Sequence, residues 1–192
     1  MQNFLRQGKL LGFFAMATLI MFYLVMFKVN AEIDHHNGLN VLRLQLAFTL
    51  ENADTIVREW EGLQTESFVK AMRYDYLYAF CYSFFFASLF AWLLHRRGLE
   101  DTHYRFGIGI AFMAGLLDWF ENSVELLYIT HHPSMNEMLF FIHSVAASVK
   151  WLSLPVVLVL YLMILSKRSF NKNAENEYNR SEESDQNPYT GF

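Results

Sequence analysis

Residues 10–27 read LLGFFAMATLIMFYLVMF, an apolar run without a charged side chain. Its only polar side-chain atoms are the hydroxyls of Thr18 and Tyr23. A bilayer core about 30 Å thick is crossed by roughly 20 apolar residues in a helix, and only helices or closed barrels satisfy their backbone groups in lipid. The run therefore predicts a membrane-spanning helix and argues against a soluble helical bundle.

A cleaved signal peptide is the other interpretation of this run. Arg6 and Lys9 supply the basic start that signal peptides have. However, the apolar run is long for a signal peptide, and Lys28-Val29-Asn30-Ala31 is a poor cleavage site. We therefore expect a retained membrane anchor.

Three further apolar blocks follow along the chain. A content of 54% hydrophobic and 17% aromatic residues is high for a soluble domain, and its concentration in long blocks decides the class of protein. The blocks are too long and continuous for barrel strands. The sequence predicts an all-α, four-helix membrane bundle over residues 1–168, with spans at about 10–27, 74–94, 106–130 and 139–164.

The basic residues of the loops predict the orientation of the bundle. Arg and Lys lie before the first span, between the second and third spans, and after the fourth, whereas the loop 131–138 has none. The positive-inside rule then places both termini in the cytoplasm. The single Cys81 lies within the second span, so no intramolecular disulfide is expected.

Two segments outside the spans have different characters. In the outer segment, residues 28–73, the alternation over 42–48 fits a short strand or one helix face, and Thr49–Asn52 predicts a helix start. Thr65 is predicted to cap a helix that runs unbroken into the second span. We expect an extracytoplasmic helical cap over the bundle or a helix resting on lipid headgroups. The tail, residues 169–192, is rich in Asn, Glu and Ser, which predicts a disordered cytoplasmic segment.

Small and acidic residues share one face of the third span. At helical steps of three and four, the stripe comprises Gly107, Ala111, Gly115, Asp118, Asn122 and Glu125, with Glu121 on or beside it. Small residues let two membrane helices approach closely. The stripe is therefore expected to face the interior of the bundle.

Polar residues of the second and fourth spans match this stripe in depth. Counted at about 1.5 Å per residue from the cytoplasmic ends, one layer lies at roughly 18 to 22 Å and contains Asp118, Glu121 and Lys150. A second layer, near the outer boundary at roughly 28 to 31 Å, contains Asp75, Glu125 and His143. The polar groups thus form one cluster that opens outward.

Charges inside a membrane mark candidate functional residues, because each costs about 2.5 to 3.5 kcal/mol or more at the centre of a span. Asp118, Glu121 and Lys150 are the candidate catalytic residues. The candidate ligand-binding residues are Asp75, Tyr82, Asn122, Glu125 and His143.

Three kinds of function remain open for these residues. The cluster binds a lipid headgroup or small polar ligand, or catalyses acid/base chemistry on it, with Lys150 meeting an anion and Glu121 or Asp118 acting as the base. Alternatively, an oligomer of the chain conducts or transports protons or cations. In the third hypothesis the chain is a non-enzymatic assembly protein, binding another membrane protein or its own copy, and the cluster only ties helices together.

Other chemistries find less support. His131, His132 and His143 are possible zinc ligands, but they lack the spacing of a metal motif, and no cofactor is indicated. The net charge of −4 and the lack of a basic patch argue against nucleic-acid binding.

The pattern Asp118-Trp-Phe-Glu-Asn122, with Lys150 in the last span and Tyr74-Asp75-Tyr76 at the start of an earlier one, resembles a group of small bacterial four-span membrane proteins. The resemblance covers roughly residues 40–165. It implies the fold, a bacterial inner-membrane location and the choice of site residues. It implies no particular activity.

Overall fold

The computed structural model describes residues 2–29, 40–60, 62–131 and 135–167. Within these ranges the chain is helical and forms no strand, which confirms the all-α prediction for the described part. The helices are α1 (Gln2–Leu5), α2 (Gly8–Tyr23), α3 (Asn40–Gln45), α4 (Leu50–Arg58), α5 (Gly62–Arg97), α6 (Phe106–His131) and α7 (Glu137–Ser166). A π-helix, Leu24–Val29, continues α2, and a 3₁₀ turn, His103–Arg105, precedes α6. The predicted tail, residues 169–192, lies outside the described residues.

Among the described helices, α5 and α7 are long and apolar enough to cross a membrane. α2 is apolar but has only 16 residues before its π-helical continuation. α6 has 26 residues, and its three carboxylates lower its hydropathy. The described part of the chain is thus all-helical, and two of its helices have membrane-spanning character. The four-span arrangement stays a prediction.

α5 is the central helix of the bundle. It packs along α2 and along α6, and α6 packs in turn along α7. Near α1, the ends of α5 and α7 and the start of α6 share an apolar core that includes Leu5, Phe90, Leu94, Ile108 and Ile164. This order of helices places the acidic stripe of α6 between α5 and α7.

Two glycines of α6 allow its close approach to α5. A Cβ built at Gly115 would overlap the hydroxyl group of Ser83 and lie 3.2 Å from the carbonyl oxygen of Ala79. A Cβ at Gly107 would lie 2.6 Å from the ring of Phe90. These contacts confirm that the small residues of the stripe permit close helix packing.

The outer segment is helical where it is described. Residues 42–45 belong to α3, so the helical interpretation of the alternating stretch is correct there, and Phe48 beyond it adopts a positive φ of 59°. The amide of Asn52 donates a hydrogen bond to the hydroxyl of Thr49 over 3.2 Å, so the helix start at Thr49–Asn52 is confirmed.

α5 runs without a break into the predicted second span, as expected. The predicted cap at Thr65 is wrong, because α5 already begins at Gly62. A capping residue has non-helical backbone angles, and Thr65 lies inside the helix, so its hydroxyl is not in the capping position.

α3 and α4 pack across one end of the bundle, which we call the α3–α4 end. Their apolar residues, including Leu44, Ile56 and Trp60, form a core with Phe68 of α5, Tyr128 of α6 and Phe140 of α7. The hydroxyl of Tyr128 also donates a hydrogen bond to Asp54 over 2.7 Å. The outer segment therefore covers the ends of three helices that carry the polar cluster.

Candidate functional site

The centre of the site is the side chain of Lys150 on α7. Its Nζ lies 2.6 Å from Oδ1 of Asp118 and 2.9 Å from Oε1 of Glu121, both on α6. Nζ is also 2.7 Å from Oε2 of Glu121, although that contact lacks hydrogen-bond geometry. All three side chains are buried. The ammonium is thus bound by two carboxylates, and it joins α7 to α6.

Tyr82 extends this group to α5. Its hydroxyl lies 3.0 Å from Oδ2 of Asp118 and 3.1 Å from the carbonyl oxygen of Ala114, and both are acceptors. Asp118 therefore receives hydrogen bonds from α5 and α7 together. The close approach of α5 and α6 makes the contact with α5 possible.

A second layer lies one turn further towards the α3–α4 end. The amide nitrogen of Asn122 donates a hydrogen bond to Oδ2 of Asp75 over 3.0 Å. Nε2 of His143 lies 3.3 Å from Oε1 of Glu125. Asn122, Glu125 and His143 are fully buried, whereas Asp75 is half-buried. Asp75 is thus the member of this layer that is accessible from outside the bundle.

Ser144 connects this layer to the outer segment, and sequence reasoning missed it. Its hydroxyl accepts a hydrogen bond from the amide of Phe48 over 3.1 Å and lies 3.5 Å from Nδ1 of His143. If Ser144 donates to Nδ1, then Nε2 of His143 carries the proton and donates to Glu125. Every donor in this chain of contacts then has an acceptor.

Gln45 and Trp151 form a second link that the sequence did not reveal. The indole nitrogen of Trp151 on α7 donates to the buried Gln45 over 3.0 Å. The only signal for Gln45 was its position between the apolar residues Leu44 and Leu46 at the end of α3. Together with the contact between Phe48 and Ser144, this bond holds the outer segment against α7.

Two buried oxygen atoms of the second layer lack partners. Within the described residues, Oδ1 of Asn122 and Oε2 of Glu125 make no hydrogen bond. Both side chains have an exposure of 0%. Because buried polar groups are nearly always hydrogen-bonded, these two oxygens are exceptions that require an explanation.

The eight predicted site residues thus come together in one cluster on α5, α6 and α7, which we call the polar cluster: Asp75, Tyr82, Asp118, Glu121, Asn122, Glu125, His143 and Lys150. It contains four carboxyl groups and one ammonium group, so its formal charge is −3 with every carboxyl group ionised and His143 neutral. An anion that binds to Lys150 has to displace a carboxylate first.

The histidine pair considered for zinc falls mostly outside the described structure. His132 lies outside the described residues, and the side chain of His131 is not described. His143 bonds to Glu125 instead. Within the described ranges, no group of three His, Cys, Asp or Glu side chains is arranged to hold a metal ion.

Comparison with known proteins gives no relative for the chain. No family model, curated protein or solved structure matches it. The resemblance to small bacterial four-span proteins therefore rests on the motif residues alone, and what stands is a helical protein with two helices of membrane-spanning character.

Proposed function

We propose that the chain is a four-span membrane protein, with both termini in the cytoplasm, whose polar cluster binds a lipid headgroup or a small polar ligand from the outer face. The four spans are α2 with its π-helical continuation, α5, α6 and α7. The α3–α4 end then faces outward and covers the mouth of the site.

Exposed apolar side chains support the membrane part of the proposal. Phe13 and Leu19 on α2 are 66% and 64% exposed, and Leu152 and Leu158 on α7 are 68% and 57% exposed. Soluble proteins rarely expose large contiguous apolar surfaces, whereas lipid covers them without cost. These residues fit the lipid-facing sides of two spans.

The observation that carries the ligand part is the pair of buried, unpartnered oxygens on Asn122 and Glu125. In a cluster with a purely structural role, the polar atoms are expected to be hydrogen-bonded, since each buried polar atom without a partner costs about 1 to 3 kcal/mol. A bound ligand that donates hydrogen bonds satisfies both atoms. Asp75, half-buried beside Asn122, provides the approach.

The topology is testable with reporter fusions. A fluorescent protein fused after residue 192 is expected to fluoresce, and an extracytoplasmic phosphatase fused at the same place is expected to be inactive. The same phosphatase inserted at residue 35, in the outer segment, is expected to be active. Phosphatase activity at the C-terminal fusion contradicts the proposed orientation.

Ligand binding is testable by native mass spectrometry of the protein purified in a mild detergent. We expect one bound lipid or small molecule of defined mass, and we expect Glu125→Gln to remove most of it, because the amide has neither the charge nor the second acceptor of the carboxylate. Glu137→Gln is the matched control, since Glu137 is exposed in the first turn of α7. Equal occupancy in both variants contradicts the proposal.

One observation favours a second function, that of a membrane assembly protein. Lys150 and Tyr82 tie three helices together through Asp118, and such a group needs no ligand to be useful. In that case a cluster with its charges removed supports the same cellular phenotype as the native one, provided that the protein folds.

A further inference from the structure

We infer that the ligand of the polar cluster carries a primary ammonium group, which donates hydrogen bonds to Glu125 and Asn122. The inference rests on the proposed function and goes further by naming the chemical class of the ligand. It reverses the expectation from sequence that Lys150 meets an anion.

The charge of the polar cluster is the first argument. The cluster contains one ammonium, that of Lys150, which contacts Asp118 and Glu121. Its other two carboxyl groups, those of Asp75 and Glu125, are bonded to Asn122 and His143. Buried charges persist when they are paired, and with its four carboxyl groups ionised this cluster has an excess of negative charge. A second cation brings it closer to neutrality, whereas an anion adds to the imbalance.

The engagement of Lys150 is the second argument. Its Nζ is within 2.9 Å of oxygens from both Asp118 and Glu121, so two of its three N–H donors already have acceptors. Asp118 also lies 3.0 Å from the hydroxyl of Tyr82. Within the described part of the chain, Oε2 of Glu121 in this deeper layer makes no hydrogen bond, but it lies 2.7 Å from the ammonium of Lys150. The unpartnered oxygens of Asn122 and Glu125 have no such contact among the described residues, so their layer is the place where a ligand binds.

Hydrogen-bond complementarity is the third argument. Both unpartnered atoms, Oδ1 of Asn122 and Oε2 of ionised Glu125, are acceptors, and the residues are three apart on one face of α6. A primary ammonium has three N–H donors, whereas a quaternary ammonium has none. Charge-assisted hydrogen bonds to a carboxylate are about twice as strong as neutral ones, so a primary ammonium satisfies both the charge and the two acceptors.

Two sources supply this group: the headgroup of phosphatidylethanolamine and a soluble primary amine. Asp75 is the half-buried member of the layer and is bonded to Asn122, so an ammonium from either source meets a carboxylate before it reaches the buried pair. Both sources present the same chemistry to Glu125 and Asn122.

The experiment uses the full-length chain in detergent with an equimolar mixture of phosphatidylethanolamine, phosphatidylcholine and phosphatidylglycerol of identical acyl chains, read by native mass spectrometry. In a second arm, ethanolamine alone is added and the midpoint of thermal unfolding is measured. Wild type, Glu125→Gln and the control Glu137→Gln are compared.

We expect phosphatidylethanolamine to bind the wild type and Glu137→Gln roughly tenfold more tightly than the other two lipids, and Glu125→Gln to lose that preference. Stabilisation by ethanolamine of the wild type but not of Glu125→Gln assigns the group to a soluble amine, which also supports the inference. The headgroup preference of the wild type is measured without any variant. It therefore decides whether the ligand carries a primary ammonium even if Glu125→Gln does not fold.

The opposing outcomes separate the inference from the proposed function. A preference for phosphatidylglycerol, or equal binding of all three lipids, overturns the ammonium inference when ethanolamine also fails to stabilise the protein. If Glu125→Gln still reduces the bound amount in that case, the ligand site itself stands. Equal binding by all three proteins with every headgroup, with no effect of ethanolamine, overturns both.

Discussion

Lys150→Met is expected to lower the midpoint of thermal unfolding by roughly 10 °C, measured on the purified protein in detergent. The substitution keeps most of the side-chain volume but leaves Asp118 and Glu121 buried without their counter-ion. Removal of one partner of a buried ion pair costs about 3 to 5 kcal/mol, and each kcal/mol shifts the midpoint by about 2 to 4 °C in a chain of this length.

The control for this loss is Lys70→Met. Lys70 is an exposed lysine on α5, so the same chemical change there removes no buried charge pair, and we expect little change in stability. If Lys150→Met unfolds at the wild-type temperature, the ion pairs of the cluster do not stabilise the fold.

A triple variant distinguishes a ligand-binding role of the polar cluster from a purely structural role. Asp118→Asn, Glu121→Gln and Lys150→Met together remove the three charges of the ion pairs. Stability is expected to recover towards that of the wild type, because positions 118 and 121 then carry neutral amides in place of buried carboxylates without a counter-ion. If the folded triple variant keeps the cellular phenotype, the assembly function is favoured. If it folds and loses the phenotype or the bound ligand, the charges do more than join helices.

Gly115→Ala is the second large effect, with an expected fall in the unfolding midpoint of roughly 5 °C. The new methyl group overlaps Ser83 and presses against the carbonyl oxygen of Ala79, so α5 and α6 have to separate. Overpacking of this kind costs about 1 to 3 kcal/mol. The separation also lengthens the contact between Tyr82 and Asp118, so ligand binding is expected to weaken together with stability.

Gly109 on the same helix provides a matched control. A Cβ at Gly109 has no neighbour within 4 Å among the described atoms, so Gly109→Ala is expected to keep or raise the midpoint through its better helix propensity. Ser83→Gly combined with Gly115→Ala removes the overlapping side chain, and part of the lost stability is expected to return. Equal effects of the two glycine substitutions contradict the importance of close approach at Gly115.

Most of the site was predictable because it depends on helical periodicity. Steps of three and four residues place Asp118, Asn122 and Glu125 on one face of α6, and equal rise per residue puts Lys150 at the depth of Asp118. The helical spacing holds in the folded chain because these segments are helices. Lys150 therefore lies at the right depth to pair with Asp118 and Glu121.

Contacts between distant segments were not predictable in the same way. Trp151 donates a hydrogen bond to Gln45 across 106 positions of the chain. The amide of Phe48, a residue with a positive φ, donates to Ser144 across a similarly long separation. No periodic pattern encodes such a meeting of segments. The start of α5 was misplaced for a related reason, since a Thr that favours capping in general does not cap when the helix has already begun.

Hydropathy was the least decisive guide for α6. The carboxylates that mark the site are the residues that make this helix less typical of a membrane span than α5 and α7. In the proposed membrane bundle this conflict is expected, because carboxylates are costly in lipid wherever they lie within a span.

The length of α5 has a mechanical consequence. Its 36 residues form one continuous helix, roughly 54 Å long, whereas the hydrocarbon core of a bilayer measures about 30 Å. In the proposed arrangement a large part of α5 therefore extends beyond the hydrocarbon core, where Phe68 packs against α3 and α4. The same helix carries Asp75 and Tyr82 further along its length. Because the helix is continuous, a force or a binding protein that tilts the part outside the lipid is expected to move Asp75 and Tyr82 as well.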